Sequence, residues 1–215
     1  KLSEQRVKGY RNFLTKIWNA NNILKMNKCI FSKEINPKKL SLNINRWIYS
    51  ELINTKNLAK KHIKDYRFDE ASRVIYKFVW NSYCDWYLEF SKTIFSSKEK
   101  KHIEEVKKTS GFIFKELLVL LHSFIPFITE ELWLKNKLGS KKNKFLMHTP
   151  WIKDGKVQND KEISNVNQLI DVISKIRSFK NELNVSPGSF IDISIKNVSR
   201  VKQKLFLKNK VVFKK

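Results

Sequence analysis

Asp85 and Glu89 stand four residues apart in a stretch of helical pattern, a spacing that puts two carboxylates on one face and could serve acid–base chemistry. Cys84, beside them, is the nearest thiol nucleophile. The neighbours argue against both readings. Trp80, Tyr83, Trp86 and Tyr87 crowd the pair, and carboxylates in such surroundings accept hydrogen bonds from adjoining helices. Cys84 has no His close in sequence to take its proton and reads as a small buried residue. The histidines His62, His102, His122 and His148 are scattered, without H-x-x-x-H spacing or Cys partners, so no metal centre is expected. Neither a G-x-x-x-x-G-K-[ST] loop nor a G-x-G-x-x-G turn occurs. No catalytic residue and no cofactor is expected within these residues.

The remaining chemistry is that of binding. Lys8, Arg11, Thr15, Asn19 and Asn22 recur every three or four residues and form one polar, partly basic stripe on a helix, suited to phosphates or base edges. A solvated face would have the same pattern. The balance of 44 Lys and Arg against 20 Asp and Glu, a formal charge of +24, favours a polyanionic partner, nucleic acid first. Abundant Lys, Asn and Ile also fit codons rich in A and T, so part of the charge has a genomic explanation.

These groups sit on a mainly α framework. Apolar residues at 41% with only 5 Gly and 4 Pro exclude a disordered chain and a turn-rich sandwich. Cys29 and Cys84 are too few for a disulfide scaffold, and the longest apolar stretch, 117–128, is too short to span a bilayer. An intracellular, cytoplasmic setting is expected, with the chain a piece of something longer.

The first helix runs over 3–26, with Val7, Tyr10, Leu14, Ile17, Trp18, Asn21 and Leu24 on its core face, Asn21 the one polar member. After a loop over 27–41, Ile44, Trp47, Ile48 and Leu52 begin a second helix that ends near Lys64. A turn over 65–69 leads to a third, with Asp69 as N-cap, reaching about Phe90 and burying Ile75, Phe78, Val79, Tyr83, Trp86 and Phe90. Ser96 and Glu99 have capping-box spacing for a fourth, through Leu121, before Pro126 interrupts and a further helical stretch closes at Gly139. The domain plan is thus a helical bundle over 1–138, a polar linker over 139–160, and a small α/β segment over 161–215. The last comprises a helix to about Leu183, a Pro187-Gly188 turn, a strand through Ile191, Ile193 and Ile195, a helix near Val201 and Leu205, and a strand over 211–213.

Arg6-Val7-Lys8-Gly9-Tyr10-Arg11-Asn12-Phe13 with Lys16-Ile17-Trp18-Asn19-Ala20 resembles the helix that follows the catalytic domain in valyl-tRNA synthetases. Arg46-Trp47-Ile48, Phe68-Asp69-Glu70-Ala71, Phe78 to Glu89 around Cys84-Asp85-Trp86-Tyr87, and Pro126 to Trp133 follow in the family's order. Ile176-Arg177-Ser178 with Glu182, Asn184, Val185 and Pro187 is similar to a later helix and turn of the family. The isoleucine and leucine enzymes share the helical plan and the Thr-Glu-Glu-Leu-Trp ending, so those elements alone leave them as alternatives. A helical protein-interaction module is the alternative from another class.

The resemblance implies a class I synthetase bundle that receives the anticodon stem and loop of a tRNA, the valine tRNA by the closest motifs, in a monomer. ATP and Mg would belong to a catalytic domain whose HIGH-type and KMSKS-type signatures do not occur here, so aminoacylation by this chain alone is not expected. Single-stranded loops are read by splayed bases stacked on flat groups and hydrogen-bonded at their edges, with cations on the phosphates. Arg6, Arg11 and Lys16 are the candidates for this on the first helix, with Asn19 and Asn22 as edge readers and Arg46 as a backbone contact. Two departures stand out. Asn22 and Ile23 occupy positions where the family usually carries arginine and an aromatic residue, which implies weaker or relocated stacking, and Ser123 replaces a common proline.

Overall fold

The computed structural model describes residues 3–31, 34–140, 143–151 and 161–186, with positions 189, 192 and 194; of Arg6, Lys161 and Glu162 it describes the backbone only. Two compact units are present, 1–158 and 159–215. Among the described residues every regular element is helical. The strand through Ile191, Ile193 and Ile195, the helix near Val201 and the strand over 211–213 lie outside the described residues, apart from isolated positions.

The first unit is built from α1 (Glu4–Met26), α2 (Asn43–Lys64), α3 (Phe68–Lys77), a π-helical segment (Phe78–Tyr87), α4 (Leu88–Phe95), α5 (Lys100–Leu121) and α6 (Pro126–Lys135). From Phe112 to Leu121 helix α5 is apolar but for the half-buried Lys115 and Glu116, as suits a helix at the centre, and α1, α2, α4 and α6 all pack on it. Gly111 is required there. A Cβ at this position would run into the backbone of Ile30, where the segment after α1 crosses α5 and Ile30 N–H donates to the Lys107 carbonyl at 3.2 Å.

The start of α2 is capped from α5. Leu42 stands at its N-cap and offers no side-chain acceptor, so the Glu105 carboxylate accepts from Ser41 N–H, Leu42 N–H, Ser41 Oγ and Asn45 Nδ2, at 2.5 to 3.1 Å. The contact continues inward. Tyr87 O–H donates to Asn45 Oδ1 at 2.8 Å, Ser110 Oγ donates to Tyr87 Oη at 3.3 Å, and Tyr83 O–H donates to the Ser110 carbonyl at 3.1 Å. Tyr83 and Tyr87 are fully buried, and burial pushes both phenols well above their usual range.

The π segment changes which residues face inward. Its hydrogen bonds step five residues instead of four, so the buried side chains after Tyr83 are Cys84, Tyr87 and Leu88. Trp86, expected in the core, is half-buried and lies tilted against Phe90 at 5.8 Å between centroids. Helical structure then continues through α4 to Phe95, beyond the expected end.

Helix ends also depart from expectation. Asp69 does not cap α3, which begins at Phe68 with Arg67 before it. Ser96 closes α4, its hydroxyl donating to the Lys92 carbonyl, so the Ser96–Glu99 pair forms no capping box. Helices α1, α2 and α6 end in Schellman turns whose left-handed residues are Lys28, Tyr66 and Lys137, at φ of 52°, 58° and 53°. Gly139 is therefore not the stop. It permits a tight return in which Ser140 N–H donates to the Asn143 carbonyl, and a Cβ there would meet Lys144.

Residues 143–151, which composition reads as linker, pack on α6. Trp133 Nε1 donates to the Lys144 carbonyl at 3.2 Å, Glu130 Oε1 accepts from Leu146 N–H at 3.0 Å, and Leu146 is buried. Thr129 organises the preceding corner, its Oγ1 2.9 Å from His122 Nδ1 and within 3.0 Å of the Ile125 and Pro126 carbonyls. The Thr-Glu-Glu-Leu-Trp motif is thus a corner and latch. In the second unit, α7 (Lys161–Glu182) buries Ile163, Val166, Leu169 and Ile173 on one face, with Asn184 left-handed at its end.

The Glu105 cap gives a pH dependence. Burial alone would raise its pKa, but the four donors hold it below the ordinary 4.5. A carboxyl with a depressed folded pKa stabilises the fold above its unfolded pKa, and that contribution is lost as pH falls through the folded value. Burial raises Glu51 and Glu116 instead, so the difference between wild type and Glu105→Gln isolates the cap. In urea titrations the variant should be less stable at pH 7, with the gap narrowing below about pH 4.5; a gap independent of pH would show that the carboxylate charge is not what holds α2.

Candidate nucleic-acid interface

Which face α1 presents outward is decided by what its other faces must bury. Phe13, Ile17, Ala20 and Leu24 fall at helical spacing and are buried, which sets the inner face. On one flank Lys16 Nζ lies 2.5 Å from Asp85 Oδ1 and 3.7 Å from the centroid of Trp80, while Phe13 lies tilted against Tyr76 at 4.6 Å and Tyr76 stacks on Trp80 at 5.7 Å. Lys135 Nζ stands 4.6 Å over the Trp18 ring on the other flank, and Asn136 Nδ2 donates to Asn21 Oδ1 at 2.6 Å and to the Leu132 carbonyl. The helix is tied on three sides. Lys8, Arg11, Thr15, Asn19, Asn22 and Met26 then make a continuous exposed row on the fourth, about 22 Å from Arg11 to Met26 at 1.5 Å per residue.

The structure brings Arg11, Asn19 and Asn22 into this row with Lys8. Lys16 is turned away from it, toward Asp85 and Trp80. Arg6 lies on the same helix, its side chain outside the described residues. Arg46 is half-buried on α2 and donates from Nε to the Leu40 carbonyl at 2.7 Å, holding the loop before that helix. Val7 and Tyr10, expected in the core, are 53% and 64% exposed, because the first turns of α1 run past the residues that would cover them. Glu4 is the one acid in α1, so the row carries a positive field.

The carboxylate pair is structural. Asp85 holds Lys16, and Glu89 accepts from Lys92 on its own helix at 2.5 Å. Burial pushes the Cys84 thiol up to about 12, which leaves it unreactive at neutral pH. No group of three or more His, Cys, Asp or Glu able to hold a metal ion occurs among the described residues. Nor, among them, is any helix long and apolar enough to cross a membrane.

Comparison with known proteins agrees with this frame. The family described as the anticodon-binding domain of tRNA ligase matches residues 45–195. The chain belongs to that family. Its relatives include the valine–tRNA ligase of Pelagibacter ubique, 56% identical over 215 residues, and that of Rhizobium meliloti, 41% identical over 196 residues. These alignments take in 100% and 91% of this chain but 24% and 21% of the relatives, so the chain spans about a quarter of their length. Helix α1 lies before the family match and is included in the alignment to the first relative, which covers the whole chain.

In this anticodon-binding domain the ties that orient α1 were largely hidden from sequence. Asn21 is the polar exception on the apolar face, and its partner, Asn136, lies 115 residues away. Asp85 and Trp80 were visible as an acid and a ring, not as a clamp. The amide pair is incompletely satisfied, since Asn21 Nδ2 and Asn136 Oδ1 are buried without partners. Asn136→Ala should therefore cost about 1–3 kcal/mol by leaving the Asn21 carbonyl oxygen unpaired as well. Adding Asn21→Leu should recover most of that loss in urea denaturation; a double variant no better than Asn136→Ala would show that the amide pair is not the source.

Proposed function

We propose that this chain is the anticodon stem-loop binding module of a valine–tRNA ligase, and that the outer face of α1 is its reading surface. One observation carries the reading: a helix tied on three sides exposes Arg11, Asn19 and Asn22 in one row, just ahead of the residues that match the tRNA-ligase anticodon-binding family. Each amide offers a donor and an acceptor to a base edge, and the guanidinium offers a flat cation for a base or a phosphate. Lys8 and Arg6 extend the cationic track along the backbone. Lys16 serves the site indirectly, by fixing the roll of α1 through Asp85 and Trp80, and Arg46 does so by holding the loop before α2.

The valine assignment draws on the names of relatives that align over most or all of this chain. In the whole protein, the remaining three-quarters would supply the ATP- and Mg-dependent joining of valine to its tRNA, in the cytoplasm, with the chain acting as a monomer. Binding should be tight to valine tRNA, weaker when the anticodon bases are exchanged, and steeply salt-dependent. Arg11→Ala should weaken it by about 1–3 kcal/mol if the side chain meets a base edge, or mainly lower the salt slope if it meets phosphate. Fluorescence anisotropy with valine tRNA and an anticodon-exchanged transcript checks both, and equal binding of the two would overturn the proposal.

A further inference from the structure

Met26 closes the outer row of α1, one turn beyond Asn22 and two beyond Asn19, and is 82% exposed. Two residues earlier, Leu24 is fully buried, so the helix had no need of a long apolar side chain at position 26 for its core. From Lys8 to Asn22 the row holds only cations, a hydroxyl and amides, which can grip phosphates and base edges but offer no apolar surface to a base ring. Met26 is the apolar member of the row, and its unbranched thioether adapts to a flat partner.

A second feature adjoins it. Lys25 and Lys28 are both exposed, and Lys28 is held left-handed at φ 52° by the turn in which its N–H donates to the Lys25 carbonyl and Cys29 N–H to the Leu24 carbonyl. Glycine would occupy that position without strain, so a lysine there is kept at a cost to stability. The same left-handed geometry ends α2 and α6 at Tyr66 and Lys137, so it is the exposed Met26 beside two lysines that marks this end of α1.

Resting on the reading of α1 as an anticodon-loop surface, we propose that Met26 is the plate on which an unstacked loop base lies, with Lys25 and Lys28 holding the adjacent phosphates. Asn19 and Asn22 read base edges, and Met26 supports a ring face one turn further along. The end of α1 is thus a composite of edge readers, plate and phosphate clamp.

The test uses this chain and an RNA hairpin carrying the anticodon loop of valine tRNA. Met26→Ala should bind about 5- to 10-fold more weakly, with the salt slope and urea midpoint of wild type, and Met26→Phe should restore or exceed wild-type affinity. Lys28→Gly should give a higher thermal midpoint, weaker RNA binding, and a log–log salt slope reduced by about 0.7–0.9. Wild-type affinity in Met26→Ala, while the unmodified chain still discriminates between loops, would overturn the plate and leave the anticodon reading standing. Failure of the unmodified chain to discriminate would overturn that reading and the plate with it.

Discussion

Glu105 reaches from the central helix to the first turn of α2, and the chain of polar groups behind it reaches into the middle of an otherwise apolar bundle. Asn45, Tyr87 and Ser110 belong to three different elements, and a buried hydroxyl or amide that loses its partner is expensive, so the network tolerates one mutual register of α2, the π segment and α5. Hydrophobic packing alone would allow these helices to slide by small amounts. The hydrogen bonds remove that freedom.

Everything at the surface of interest is built on that register. The π segment that places Tyr83 and Tyr87 inward also places Trp80 and Asp85 at the flank of α1, where they receive Lys16. On the far flank α6 brings Lys135 to Trp18 and Asn136 to Asn21. A helix fixed only by its apolar stripe could roll by some tens of degrees; one held on both flanks as well cannot. The open row from Lys8 to Met26 is therefore presented in one orientation, and a loop that meets it encounters preorganised groups.

Much of this was legible in the sequence, because 3.6-residue periodicity marks the helices and the polar stripe of α1 directly. What escaped has identifiable causes. The π segment breaks the period, so the inward residue after Tyr83 is Tyr87 and not Trp86. Left-handed helix ends at Lys28, Tyr66 and Lys137 carry no glycine to announce them. Ser96 and Glu99 have capping-box spacing, yet a preceding helix claims Ser96, and the acceptor that caps α2 lies some sixty residues away on α5. Val7 and Tyr10 follow the apolar period but stand where the bundle does not cover them. Lys16 and Arg46 have the right chemistry for RNA and are engaged within the protein, which no local pattern could tell apart from Arg11.

In the proposed reading, α1 meets RNA with its fourth face. Side-chain amide and guanidinium NMR resonances, followed as the anticodon hairpin of valine tRNA is added, report on each face separately. Asn19 and Asn22 Nδ2 and Arg11 Nε should shift on binding while Asn21 and Asn136 stay in place. Shifts confined to Asn21 and Asn136, or to the exposed Arg67 guanidinium at the turn between α2 and α3, would contradict it.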